Sequence, residues 1–88
     1  MSTKTKTEFQ KWIGNIKHEN YAPIRDAIIK ECGVSRATFA SWSRGATSPE
    51  LDKRVTIAVI AYNYNEEIPF GNMYIDHDEE GNPQVIVR

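Results

Sequence analysis

Apolar residues near the amino end of the chain recur at helical spacing. A first helix is predicted over about 7–18, because apolar residues recur three, four and seven positions after the first of them: Phe9, Trp12, Ile13 and Ile16. Thr5 and Glu8 have the spacing of a capping box near its start.

Two further helices follow, separated by a three-residue turn. The second is expected to begin near Asn20, with Pro23 in its first turn, the helical position where proline is tolerated. Gly33 ends it, because glycine adopts the left-handed conformation without steric cost. Ser35 is a good N-cap for the third helix, which Gly45 ends. With so short a connection, the two helices are expected to cross steeply.

The fourth helix is predicted from its start signal. Ser-Pro-Glu at 48–50 supplies a cap, a proline for the first helical position and an acid for the positive helix end. The segment 55–62, VTIAVIAY, is apolar nearly all round and rich in β-branched residues, so its pattern also suits a buried strand. The start signal and the length favour a helix.

A β-hairpin is predicted at the carboxyl end, where the apolar segments 73–76 and 84–88 flank turn-forming residues. The predicted organisation is a basic flexible arm over 1–6, a helical domain over 7–65 and a hairpin extension over 66–88 within the same compact unit. Both strands are apolar on both faces, so we expect the hairpin and the fourth helix to pair with a second copy in a homodimer.

The charge of the chain is unevenly distributed. The 88 residues suffice for one small domain, and their net charge is −1. Residues 1–58 carry ten Lys and Arg against six Asp and Glu, a net +4, whereas residues 59–88 carry one against six, a net −5. The basic part suits a polyanion such as nucleic acid, although two unrelated solvated surfaces would give the same distribution.

The third helix has the composition of a DNA-reading element. Phe39 and Trp42 share its inner face and are expected to pin it to helices two and four. The outer positions are Arg36, Ala37, Ala40, Ser41 and Arg44. Small residues let a helix approach base edges, which Arg36 in the first turn can reach. Two short helices with this turn predict a helix-turn-helix whose second helix enters the major groove.

Residues 24–49, IRDAIIKECGVSRATFASWSRGATSP, resemble the helix-turn-helix of the phage repressor and Cro-like family. The matching positions are Gly33-Val34-Ser35, Phe39, Trp42, Arg44-Gly45 and Pro49. The resemblance covers about 9–62 and implies a four-helix lambda-repressor-like domain that binds double-stranded DNA, usually as a dimer. It also implies base-reading positions at Arg36, Ala37 and Ser41, and phosphate-binding positions at Arg25, Ser35 and Arg44.

The sequence departs from the family's pattern at two places. Ile29 occupies a position in the second helix where the family usually has a small residue, so helices two and three should lie further apart or cross differently. The C-terminal hairpin replaces the additional helix that many members carry.

Other chemistry has little support in the sequence. Cys32, the single cysteine, is interpreted as a packed thiol, and no catalytic triad, Cys-x-x-Cys or phosphate-binding loop is present. Asp76, Asp78 and Glu80 match the first half of a calcium loop, but Val87 stands where its closing acid belongs, so an exposed turn is expected. No metal or cofactor is predicted.

The prediction is therefore a cytoplasmic, sequence-specific transcriptional regulator of the repressor type, without enzymatic activity. No apolar run reaches the length of a membrane span, and one cysteine precludes an intrachain disulfide. The alternative is a protein-interaction module, such as an antitoxin-like protein, that binds its partner through the apolar C-terminal part.

Overall fold

Four α-helices followed by a two-stranded antiparallel sheet form the fold in the computed structural model, which describes residues 6–88. The elements are α1 (Glu8–Asn15), α2 (His18–Cys32), α3 (Arg36–Ser43), α4 (Leu51–Asn63), β1 (Met73–His77) and β2 (Pro83–Val87). The predicted mainly helical domain with a C-terminal hairpin is confirmed, and the ambiguous segment 55–62 is helical. Within the described residues, no helix has the length and apolar character needed to cross a membrane.

One apolar core joins all four helices to the C-terminal segment. Its buried side chains are Phe9, Trp12, Ile13, Ile24, Ile28, Phe39, Trp42, Ile57, Ala58, Ile60, Ala61, Phe70 and Met73. The ring centroid of Phe9 lies 5.6 Å from that of Trp12 and 6.0 Å from those of Phe39 and Trp42. The last two contacts are edge-to-face, a favourable aromatic geometry. The inner face of α3 thus packs on α1, a contact that the prediction omitted because periodicity identifies a buried face but not its partner.

The capping box of α1 lies two residues later than predicted. The Gln10 amide donates to Thr7 Oγ1 at 3.0 Å, and the Thr7 amide donates to Gln10 Oε1 at 3.3 Å. Thr5, the predicted cap, lies outside the described residues. Glu8, its predicted partner, instead accepts a hydrogen bond from the Gly71 amide at 2.7 Å. Glu8, which was expected to take part in the capping box of α1, therefore connects α1 to the C-terminal segment.

The predicted boundary between α1 and α2 was wrong. His18 is the first residue of α2 rather than the end of α1, and Pro23 lies within α2 rather than in its first turn. The amino end of α2 is bound by Glu66, whose Oε2 accepts from the Lys17 amide at 3.1 Å and from Asn20 Nδ2 at 2.7 Å. A carboxylate at this end satisfies free backbone donors and suits the positive end of the helix dipole.

The start of α4 also differs from the prediction. The helix begins at Leu51, its N-cap is Glu50, and Pro49 precedes the helix instead of occupying its first position. Pro49 is buried, and its carbonyl accepts a hydrogen bond from Arg54 Nε at 2.8 Å. Ser48 is exposed and outside the helix. The proline therefore closes the α3–α4 loop against the first turn of α4.

The hairpin packs one face on the domain and leaves the other open. Met73 pairs with Val87 at one end of the ladder, and Met73 and Val85 contact the core. Tyr74 pairs with Ile86 on the other face, where the Arg88 guanidinium carbon lies 5.1 Å from the Tyr74 ring centroid. We expected both faces of the hairpin to need cover. Within a single chain, only one of the two faces is covered.

The acidic loop of the hairpin is a backbone-stabilised turn. Asp78 Oδ1 accepts from the amides of Glu80 and Asn82, both at 2.9 Å. The calcium-loop pattern would assign this carboxylate to a metal ion. In the structure it instead accepts hydrogen bonds from the backbone of the turn. Among residues 6–88, no group of three or more His, Cys, Asp or Glu side chains is placed to hold a metal ion.

Candidate nucleic-acid interface

The connection between α2 and α3 has the local structure that the sequence predicts. Gly33 adopts a left-handed conformation with φ of 66°, and its amide donates to the Ile29 carbonyl, as does the Val34 amide at 3.2 Å. Ser35 Oγ accepts a hydrogen bond from the Thr38 amide at 3.1 Å and so caps α3. The turn fixes where α3 begins and which of its faces is exposed.

Gly33→Ala is expected to lower the free energy of unfolding by about 1–2 kcal/mol. An added Cβ would meet no atom within 4 Å, so the cost comes from the left-handed backbone alone. Gly14→Ala is the matched control, because Gly14 is an exposed residue of α1 where a Cβ also meets nothing within 4 Å. That change should stabilise by about 0.5–1 kcal/mol. Urea denaturation measures both, and losses of equal size would contradict the role of Gly33.

The outer face of α3 presents small side chains. Ala37 and Ala40 are exposed, whereas Ser41 is half-buried. The Ser41 hydroxyl lies 2.8 Å from Thr47 Oγ1, so a hydrogen bond holds it toward the α3–α4 loop. Of the three positions predicted to read bases, Arg36 and Ala37 are therefore open to solvent and Ser41 is engaged within the protein.

Three arginines line one groove between α2 and α3, here called the arginine groove. It is open to solvent and has a volume of about 380 Å³. Its lining includes three arginines, here called the rim (Arg25, Arg36 and Arg44), and three apolar residues, here called the floor (Ile29, Phe39 and Ala40). The groove brings a predicted base-reading residue together with two predicted phosphate-binding residues. Ala37 and Ser41 do not line it, and Ser35 lies outside it with its hydroxyl committed to the cap.

The rim arginines differ in how they are held. Arg25 Nε lies 3.1 Å from Asp26 Oδ1, and its guanidinium carbon lies 5.8 Å from the Tyr21 ring centroid. Arg36 and Arg44 are exposed and form no ion pair with another described residue. One arginine is thus oriented by its neighbours while two project toward solvent.

Three residues that shape this region were not singled out as functional from the sequence. Tyr21 precedes Arg25 by four positions, a spacing that places both on one helix face and could have indicated their contact. Thr47, which bonds Ser41, lies in an irregular loop where no periodic signal exists. Ile29 was noted for its size, and the structure places it in the floor of the groove between α2 and α3.

Cys32 has the environment of a packed thiol. It is half-buried, and its Sγ lies 3.9 Å from the Lys53 carbonyl oxygen. Burial raises the pKa of the Cys32 thiol, against a smaller opposing effect of the Lys53 charge. A thiol with a raised pKa is protonated at neutral pH and is therefore a weak nucleophile.

Comparison of the chain with protein-family models, curated proteins and solved structures found no match in any of the three.

Proposed function

We propose that this protein is a cytoplasmic, sequence-specific double-stranded DNA-binding regulator of the repressor type, in which α2 and α3 form a lambda-repressor-like helix-turn-helix. The observation that carries the proposal is the exposed face of α3, which presents small side chains next to a groove lined by three arginines. The major groove of B-DNA admits one α-helix, and an outer face of small residues allows close approach to the base edges.

Each part of this surface has a role in the proposed complex. Arg36 and Ala37 lie in the first turn of α3 and reach the bases. Arg25 on α2 and Arg44 after the end of α3 hold the phosphates, which fix the register of the helix in the groove. Ser35 contributes through the helix N-terminus that it caps, because free amides there favour an anion.

The distribution of charge supports one orientation on the duplex. The acidic hairpin loop, with Asp78, Glu79 and Glu80 exposed, would be repelled by phosphates. The basic residues of the α2–α3 region therefore face the DNA, and the hairpin loop points away from it.

Affinity for duplex DNA is expected to fall linearly on a log–log plot against salt concentration. Arg25 and Arg44, if each neutralises one phosphate, give a slope of about −2 per protomer. Fluorescence anisotropy on a duplex selected from random sequences measures this slope. Arg25→Gln should make it shallower by about one unit. Arg88→Gln is the control, because Arg88 stacks on Tyr74 in the hairpin. A slope near zero would contradict DNA binding.

We also propose that the DNA-bound form is a homodimer. Apolar side chains that project from α4 and the hairpin are exposed: Leu51, Val59, Tyr62, Tyr74 and Val87. Tyr62 Oη lies 2.9 Å from His77 Nε2, so the end of α4 and the hairpin face that carries Val87 form one continuous surface, whereas Tyr74 lies on the opposite face. A second copy on this surface would cover it and present two recognition helices about 34 Å apart, one helical turn of DNA.

Val59→Asp is expected to convert the dimer to a monomer, because a carboxylate in an apolar interface loses its hydration without a partner. Val59 is 36% exposed and lies three positions before the exposed Tyr62, on the same side of α4. Ala22→Asp, on an exposed position of α2, should leave the dimer intact. Sedimentation velocity at micromolar concentration distinguishes the two states. A wild-type chain that is monomeric even on its DNA site would contradict the dimer.

The same apolar surface favours the second candidate function, a protein-interaction module of the antitoxin-like kind. In that case a different protein covers α4 and the hairpin. A salt slope near zero together with a monomeric free chain would select this function over the first.

A further inference from the structure

We propose that the arginine groove is a binding site for a small amphipathic anion: a molecule with one acidic group and a flat apolar body. Its effect on DNA binding, set out below, rests on the proposed function, whereas the site itself does not.

The rim of the groove supplies the charge that such a ligand requires. Arg25, Arg36 and Arg44 all line the groove. A guanidinium binds a carboxylate, sulfonate or phosphate through two parallel hydrogen bonds. Asp26 engages only Nε of Arg25, which leaves the Nη groups of that guanidinium for an anion.

The floor of the groove supplies the apolar contact. Of its three apolar lining residues, Ile29 is half-buried, Ala40 is exposed and Phe39 is buried. Ile29 contributes a branched apolar side chain to the floor. A DNA phosphate would use the rim and leave this floor uncovered, whereas an apolar body would bury it.

The size of the groove fits a small molecule. Its volume of about 380 Å³ lies within the range of roughly 300–1,000 Å³ that small-molecule sites occupy. A fused two-ring aromatic carboxylate can lie on the floor while its acid group reaches the rim.

Occupation of the groove would act on DNA binding through shared residues. Arg36 and Arg44 serve both the groove and the proposed DNA surface, so a bound anion withdraws them from DNA. The two binding equilibria are linked. The anion therefore weakens DNA binding, and DNA weakens binding of the anion by the same factor.

The probes are naphthalene-2-carboxylate and its neutral analogue naphthalene-2-carboxamide, titrated into the full chain with amide NMR detection. The carboxylate is expected to bind at least about tenfold more tightly, because only it forms charge-assisted bonds with the rim. Shifts should concentrate on residues 21–29 and 36–44, which flank the groove. Equal binding of the two probes, or shifts elsewhere on the domain, would overturn the proposal.

A matched pair of variants tests the position of the ligand. Ala40→Phe fills the groove and should weaken carboxylate binding by at least about tenfold, whereas Ala37→Phe, on the same helix but outside the groove, should leave it unchanged. Similar losses in both variants would overturn the site.

A competition experiment separates this proposal from DNA binding. The carboxylate should displace the selected duplex from the wild-type chain. If the probe binds as predicted but the chain has no affinity for DNA, the site stands and the proposed function fails. If DNA binds and the probe does not, the site fails alone.

Discussion

Phe70→Ala is expected to lower the free energy of unfolding by about 3–5 kcal/mol, the cost of removing a buried aromatic side chain. Phe70 is 2% exposed and lies outside every helix and strand, in the segment between α4 and the hairpin. Its ring centroid lies 5.3 Å from the Arg54 guanidinium carbon, so the substitution also removes a cation–π contact at the first turn of α4. Because small domains are stable by only about 5–15 kcal/mol, the variant should lose a large part of its stability.

Urea denaturation followed by circular dichroism measures the loss. Tyr74→Ala is the control, since Tyr74 is also an aromatic residue of the C-terminal segment but is 40% exposed. Its loss should be well below that of Phe70→Ala. Equal losses would mean that Phe70 does not act as a core residue, and that the segment after α4 is an appendage to the domain.

Arg36→Ala is expected to weaken binding to the selected duplex by about 1–3 kcal/mol, or roughly 5- to 150-fold. The planar fork of arginine suits the O6 and N7 atoms of guanine, so discrimination at one base pair should weaken as well. Arg36 is exposed and forms no ion pair with another described residue, so its loss should leave the melting temperature nearly unchanged.

The pattern of loss across DNA sequences identifies the role of Arg36. A loss at one base position supports base reading. A uniform loss on all duplexes would instead assign Arg36 to the phosphates, with Arg25 and Arg44, which line the same groove. Arg88→Ala is the control for general charge, and an affinity unaltered by Arg36→Ala would remove Arg36 from the interface.

Local signals predicted the α2–α3 connection well because their effects are confined to a few residues. The left-handed Gly33 and the Ser35 cap act on neighbours no more than four positions away, so the sequence contains the whole interaction. At the start of α1, two overlapping signals compete. Thr5 with Glu8 and Thr7 with Gln10 have the same spacing, and sequence alone does not choose between them.

Interactions between residues that are far apart in the sequence could not be predicted in the same way. The amino end of α2 is hydrogen-bonded to Glu66, which is 46 residues from Asn20 and 49 from Lys17. The candidate site shows the same division. Helical spacing predicted which residues lie on the outer face of α3. That Arg25 and Arg36 line the same groove depends on how two helices pack, which spacing does not reveal.

Glu66 and Phe70 have a consequence for the chain as it is synthesised. All four helices are complete at Asn63, yet the amino end of α2 acquires its carboxylate and the core acquires Phe70 only from residues made later. When α4 has just emerged from the ribosome, the apolar core of the nascent chain is therefore still partly exposed. Because exposed apolar surface favours aggregation and chaperone binding, the domain reaches its stable form only when its last quarter has emerged.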